Sequence, residues 1–457
     1  MERRAFFHSL SGLAGGAFLP SVASAASVSS ATTVPSTAAT SSPAAPSSPS
    51  SLAALPDAAA LRDRLCQLDP ADDRYWQLIR EQFLLPDDYT YLNTGGLGAC
   101  PLPVIRTVKQ RSDAEDTRPA AGHNMNDWWA MKEAAAPFFG PGVVKEELAF
   151  VSTATEGINI VLNGLPLESG DEIIASTHEH PALNIPLLNL KQERGLGVRF
   201  FEPDRERAAG NLERIEALIT RRTKLIFISH ITCTTGQIFP VREIGHLARD
   251  RGIFFALDGV QALGARPLDV TAMNVDAYAT SAHKWILGPR RTGILYVRRG
   301  MWETIRPTVV GAYSDRLTDL DGMRLELQDS AQRYEFGTQN DALFYGLGEA
   351  VAFISAIGLA EIERHNAALA EAFVSGLEEI PGAEILSPAR RADRSAMITF
   401  RLTGQNYRDV TSALGRERFR VRPVGEAHLD AIRISFHVYN SAAEVERLLD
   451  TLNGIAS

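Results

Sequence analysis

The stretch 276-DAYATSAHKWILGPRRTGILYV-297 sets one lysine between a histidine and a tryptophan, behind an apolar, strand-like run. A glycine-containing hairpin then returns into a second strand. Burying an ammonium is costly unless it is paired or gives up its charge. A lysine held neutral by burial is, however, a good nucleophile toward a carbonyl. Lys284 is therefore the residue around which the remaining sequence has to make sense.

Outward from it, short β-rich runs alternate with amphipathic stretches: ELAFVS then TEGINIVLNGL, DEIIAS then ALNIPLLNLKQERG, KLIFISH then VREIGHLARDRG, and IFFALDG. That alternation predicts an α/β domain with a mostly parallel sheet. From residue 341 the pattern changes to one long helical stretch, DALFYGLGEAVAFISAIGLAEIERHNAALAEAFVSGLEEI. Strand-like SAMITFRL, FRVRP and AIRISFHV follow, then a last helix, which predicts a smaller C-terminal α+β domain hinged on the long helix. The reading is an N-terminal arm over 57–99, a large domain over 100–355 and a small domain over 356–457.

Composition narrows the function. The 457-residue chain is 45% hydrophobic and 22% charged, enough for real cores. A formal net charge of -9 argues against nucleic-acid binding. Three cysteines, Cys66, Cys100 and Cys233, with no CxxC pair, argue against a zinc site. Residues 1–26 carry Arg3, Arg4 and Phe6, a weakly hydrophobic glycine-containing run and Ala23-Ser24-Ala25, a layout similar to twin-arginine signal peptides. The run is too short and glycine-rich for a stable membrane anchor, so export to the periplasm by the twin-arginine machinery is expected. Residues 27–56, nearly all Ser, Ala, Thr and Pro, read as a disordered linker.

Ligands of open parallel sheets lie beyond the carboxyl ends of the strands. After ELAFVS come Thr153, Ala154, Thr155 and Glu156. Thr153 with Glu156 reads either as a capping box or, with free N–H groups at the helix start and the Thr155 hydroxyl as donors, as a phosphate site. After DEIIAS come His178, Glu179 and His180; two histidines without a third ligand point to a ring that stacks or hydrogen bonds and not to a metal. After IFFAL comes Asp258, with Gln261 one turn on; the carboxylate is either a helix cap or the partner of a pyridine nitrogen. Schiff-base lysine, acid on a pyridinium and phosphate cradle are together what a protein supplies to pyridoxal 5'-phosphate.

With these residues in view, the sequence resembles the class V aminotransferase family of fold type I PLP-dependent enzymes, which includes cysteine desulfurases, kynureninase and isopenicillin N epimerase-like proteins. The motifs are TATEGIN, EHPA, ALDGVQALGA, TSAHKW and YEFGTQN, across residues 85–450. The resemblance implies a large domain with a seven-stranded, mostly parallel sheet, and three catalytic residues. Lys284 matches the Schiff-base lysine and general base, Asp258 the pyridinium partner, and His180 the ring stacked on the cofactor. Gln261 matches the donor to the phenolic oxygen. Thr155 with its neighbour Ala154, Ser281 and His283 match phosphate contacts, and Thr338 matches one given by a neighbouring subunit, hence a homodimer. Arg422 falls near the arginine that binds the substrate carboxylate, with Arg420 pointing the same way in one strand. Asn93, Thr94 and Gly95 lie where family members bring backbone toward substrate.

Two departures matter. No cysteine follows Cys233, so the mobile-loop thiol of desulfurases is missing, and Cys233 itself stands where they carry an asparagine. The expected chemistry is proton removal at the Cα of an amino acid or peptide-borne amino acid, with transamination favoured over epimerisation or lyase outcomes. A non-catalytic binding protein is the rival that intact Lys284 and Asp258 oppose. Exported relatives tailor peptide natural products such as siderophores, which makes a peptide substrate an analogy.

Overall fold

The computed structural model describes residues 58–119 and 122–457. The signal-peptide and linker expectations for residues 1–26 and 27–56 lie outside the described residues. After two arm helices, Ala58–Leu65 and Asp73–Arg80, comes the short strand β1 (Thr90–Tyr91). The central sheet holds β2 (Leu148–Val151), β3 (Glu172–Ser176), β4 (Gly197–Phe201), β5 (Thr223–Ser229), β6 (Phe254–Asp258), β7 (Ala277–Ser281) and β8 (Gly293–Val297). Their order is β2-β8-β7-β6-β5-β3-β4. β8 runs antiparallel to both its neighbours and every other pair is parallel. This is the seven-stranded, mostly parallel sheet that the resemblance implies.

Strands β2, β3, β7 and β8 are buried along their whole length, because helices cover both faces. One face packs Phe139, Ile226, Phe255 and Tyr278; the other packs Ile158, Leu183, Phe227 and Leu295. The register sets Ser229 beside Asp258 and Asp258 beside Ala279. Three strand ends, and the residues after them, thus converge at one edge.

An antiparallel hairpin, β9 (Asp315–Asp319) and β10 (Arg324–Leu327), precedes the C-terminal region. There β11 (Ala383–Ile385), β12 (Met397–Leu402), β13 (Phe419–Arg420), β14 (Arg422–Val424) and β15 (Ala431–Ser435) follow in sequence. β11, β12, β15 and β14 form a four-stranded sheet in that order. β13 pairs instead with β1, and Leu92 joins the small-domain core of Phe373, Phe400 and Ile434, so the arm is tied to this part of the chain.

Two expectations need correction. The single long helix is two, Asp341–Ile357 and Leu359–Glu378, bent by 73°. Gly358, at φ 92, lies where side chains are strained, and apolar periodicity cannot register such a turn. Nor is FRVRP one strand: the chain changes partner between β13 and β14, so Arg420 is exposed while Arg422 turns inward. Among the described residues no single helix is long and apolar enough to cross a membrane.

Candidate active site

A cavity of about 330 Å³ lies at the carboxyl ends of β5, β6 and β7, lined by Lys284, Asp258, His180, Thr155, Ala154, Gln261, Ser281, His283, Gly95 and Arg422 among others. Sequence reasoning had named all of these.

Lys284 follows β7 by three residues, is 8% exposed, and its Nζ makes no hydrogen bond or ion pair among the described residues. Burial pulls its pKa down to about 8, against the pull of the Asp258 carboxylate. Asp258 closes β6, and its Oδ1 accepts from Val260 N at 3.0 Å. Burial pushes its carboxyl up, while the Val260 bond and Lys284 hold it down.

At one end the helix Ala154–Gly164 begins. Thr153 caps it by accepting from Glu156 N, and the Glu156 carboxylate reaches back to Ser152 N at 2.6 Å. Cap and cradle coexist, because the cap leaves the Thr155 hydroxyl unused. Ser281 Oγ accepts from Ala154 N at 2.8 Å. His283 Nδ1 is buried without a partner, and burial lowers its ring to about 4. A buried polar atom with nothing to bond is what a missing anion would leave.

His180 begins the helix Pro181–Arg194, and its Nδ1 accepts from Ala182 N at 3.1 Å, which leaves the proton on Nε2. Burial, with Lys284 next, lowers it to about 4, so the ring on the cavity wall is neutral. Glu179 is turned away: it accepts from Ser229 N at 2.9 Å and from the Ser176 and Ser229 hydroxyls, and burial raises it to about 7. His178 bonds Thr234 and Glu202, outside the cavity.

Gln261 is more committed than expected. Trp285 Nε1 can only donate, so its 2.8 Å bond fixes Gln261 Oε1, and Nε2 then donates to Gly95 O at 2.9 Å. One N–H is left for a ligand. The arm loop is pressed onto the site: a Cβ at Gly98 would sit 2.1 Å from Lys284 O, and one at Gly95 only 3.0 Å from Arg433 Nη2. Glycine is required there by approach, not by φ.

Three named residues do not line the cavity. Thr94 is fully buried and bonds the Tyr439 hydroxyl, and Asn93 Oδ1 accepts from Arg433 Nη2 at 3.4 Å. Backbone at Gly95 and Gly96, not these side chains, reaches the cavity. Thr338 is exposed, away from the cavity of its own chain.

Sequence reasoning missed Arg433. It sits in β15, 1% exposed, donates to Cys233 O, and has an unpartnered Nε. Burial, then Arg422, lowers it to about 10, so it stays cationic. Arg422 pairs with Glu426 through Nη2 and leaves Nη1 without a partner. The available signal was an arginine alternating with Ile432 and Ile434 in an apolar strand.

Residues 117–448 match the family model for aminotransferase class-V. The chain belongs to that family. Among class V relatives, a protein named probable cysteine desulfurase from Methanothermobacter thermautotrophicus is 29% identical, over 83% of this chain and 97% of that one. The isopenicillin N epimerase of Amycolatopsis lactamdurans is 30% identical, over 83% and 98%. A solved structure of a C-DES mutant, with glycine covalently linked to its PLP cofactor, superposes with a TM-score of 0.73 at 25% identity, covering 82% of this chain and 98% of that one. The cofactor of this class V enzyme is pyridoxal 5'-phosphate. The residues fit it: the helix start, Thr155, Ser281 and His283 would hold the phosphate, Asp258 the ring nitrogen, and Lys284 the aldehyde.

Proposed function

We propose that the chain is an exported aminotransferase acting at the Cα of an amino acid, free or borne by a peptide. The observation that carries this reading is one cavity holding a single poised amine, Lys284, together with two guanidinium groups that have N–H to spare, Arg422 and Arg433. When bound, the cofactor supplies an electron sink for the pair left by the Cα proton. Arg433, with Arg422, holds the substrate carboxylate through planar N–H pairs. Lys284 Nζ takes the Cα proton and returns it on the same side, which is the proton economy of amino-group transfer. Asp258 holds negative charge at the ring nitrogen, and His180 Nδ1, engaged at Ala182 N, keeps its ring from turning.

The desulfurase names of relatives are not carried over. Sulfur acceptance needs an accessible thiolate. Cys66 is exposed in the turn just past the first arm helix, Cys100 donates to Gly288 O at 3.3 Å, and Cys233 is buried with its thiol pushed up by burial. Epimerisation is the second reading, because Cys233, protonated and on the cavity wall, is a further proton donor there.

L-glutamate added to the holoenzyme is expected to convert the visible absorption of the lysine-bound cofactor to that of pyridoxamine phosphate. Arg433→Ala should need about 10–100-fold more glutamate, the worth of a charge-assisted pair. A band unmoved by glutamate and by a glutamyl peptide would end the aminotransferase reading.

Export and dimerisation are part of the proposal. Arg3 and Arg4 support the first. Thr338, exposed and outside its own cavity, supports the second, as do Leu320, Met323 and Leu325, exposed in and around the β9–β10 hairpin. Sizing of a periplasmic extract should find the protein at twice the chain mass, and find none after Arg3→Lys with Arg4→Lys.

A further inference from the structure

Behind the catalytic cavity lies a larger one, about 540 Å³, between the helix Leu359–Glu378 and the wall that carries Ile231, Gln261 and Trp285. The helix turns Ala360, Ala367 and Ala370 toward it, so the space is wide and partly apolar.

Its polar groups are specific. His437 Nε2 lies 3.0 Å from Trp285 O, and a carbonyl can only accept, so Nε2 carries the proton and Nδ1 is an acceptor. Burial keeps that ring neutral, lowering it to about 3. Asn366 must then present Nδ2 to His437 Nδ1, 3.3 Å away, which fixes the amide and leaves Oδ1 over. Asn366 is 2% exposed, lines the cavity, and its Oδ1 is buried without a partner. Such an acceptor calls for an N–H donor. Arg391, exposed on the cavity's lining, has no carboxylate partner among the described residues, whereas the lining's Arg266, Arg364 and Arg394 are each paired with a glutamate.

We propose that this cavity binds an amide-linked amino-acid carboxylate, the group –NH–CHR–COO⁻ with an apolar R. Asn366 Oδ1 takes the N–H, the alanine and isoleucine walls take R, and Arg391 takes the carboxylate. The group ends an N-acylated amino acid and a peptide alike. Occupancy reaches the catalytic cavity because Gln261 lines both and holds Gly95 O.

The test is calorimetry on the PLP-loaded dimer or monomer as purified, with N-acetyl-L-leucine, which has no free amine for Lys284 chemistry. Saturable binding at one per chain is expected, at least tenfold weaker for Arg391→Ala and for N-acetyl-L-leucinamide. Asn366→Leu should weaken it too; Arg391→Ala, on an exposed residue, keeps the test alive if that variant does not fold. A leucine-ended pentapeptide binding as tightly identifies peptide ends as the source, and its exclusion identifies a free N-acyl amino acid. Absence of saturable binding, or binding indifferent to Arg391→Ala, overturns the proposal. Because the readout is heat and not turnover, failure of the aminotransferase reading would leave this result standing.

Discussion

Lys284→Ala is expected to lower turnover by about 10⁴-fold, the upper end for a positioned general base, because the same amine also anchors the cofactor. Borohydride should fix the cofactor to the wild-type chain at Lys284 and leave the variant unlabelled. The loss is chemical and not structural: Lys284 Nζ has no hydrogen-bond partner among the described residues, so alanine orphans nothing. The cofactor-free pair of proteins adds a pH signature. With a folded pKa of about 8 against 10.5, the unfolded chain binds more protons between those values, so wild-type stability rises with pH across that window. Below about 8 the ammonium is present in both states and the full cost of burying it applies, about 3 kcal/mol. The alanine variant should therefore melt higher than wild type at pH 7, with the gap closing by pH 10.5. A variant that turns over normally, or a gap that does not move with pH, would remove Lys284 from the role.

What the sequence made legible follows from what periodicity and strand ends can encode. Lys284, Asp258, His180 and Thr155 each follow or close a strand-like run, and the sheet brings such ends together whatever the loops do. Arg433 was hidden because its meaning depends on β15 meeting the arm loop, a contact 340 residues apart in sequence. The break at Gly358 was hidden because apolar spacing continues across it. Strand β4 was not read, since four of its five residues are not fully buried, and the β9–β10 hairpin was not read because its residues are exposed or half-buried and polar. For the arm loop, backbone approach was the expectation, and backbone does line the cavity, but at Gly95 and Gly96 and not at Asn93 and Thr94, because spacing places a loop only to within a residue or two.

Asp258→Asn is expected to lower kcat by about 10²–10³-fold while the cofactor remains attached and KM changes little. The substitution separates charge from shape. Asparagine keeps the volume and can still accept from Val260 N, the one local bond the carboxylate makes through Oδ1. What it removes is a negative charge in a site 6% exposed, where little water screens it. Burial pushes this carboxyl up, while the Val260 N–H and the Lys284 ammonium hold it down in the cofactor-free chain, and a protonated ring nitrogen would hold it down in the same way in the holoenzyme. Asparagine can donate to an unprotonated ring nitrogen but cannot hold a proton there, so the electron sink weakens while binding persists. If Asp258 merely capped the turn at Val260, asparagine would restore nearly full turnover. A loss below tenfold, with the cofactor bound, would therefore assign Asp258 to the turn and take the ring nitrogen away from it.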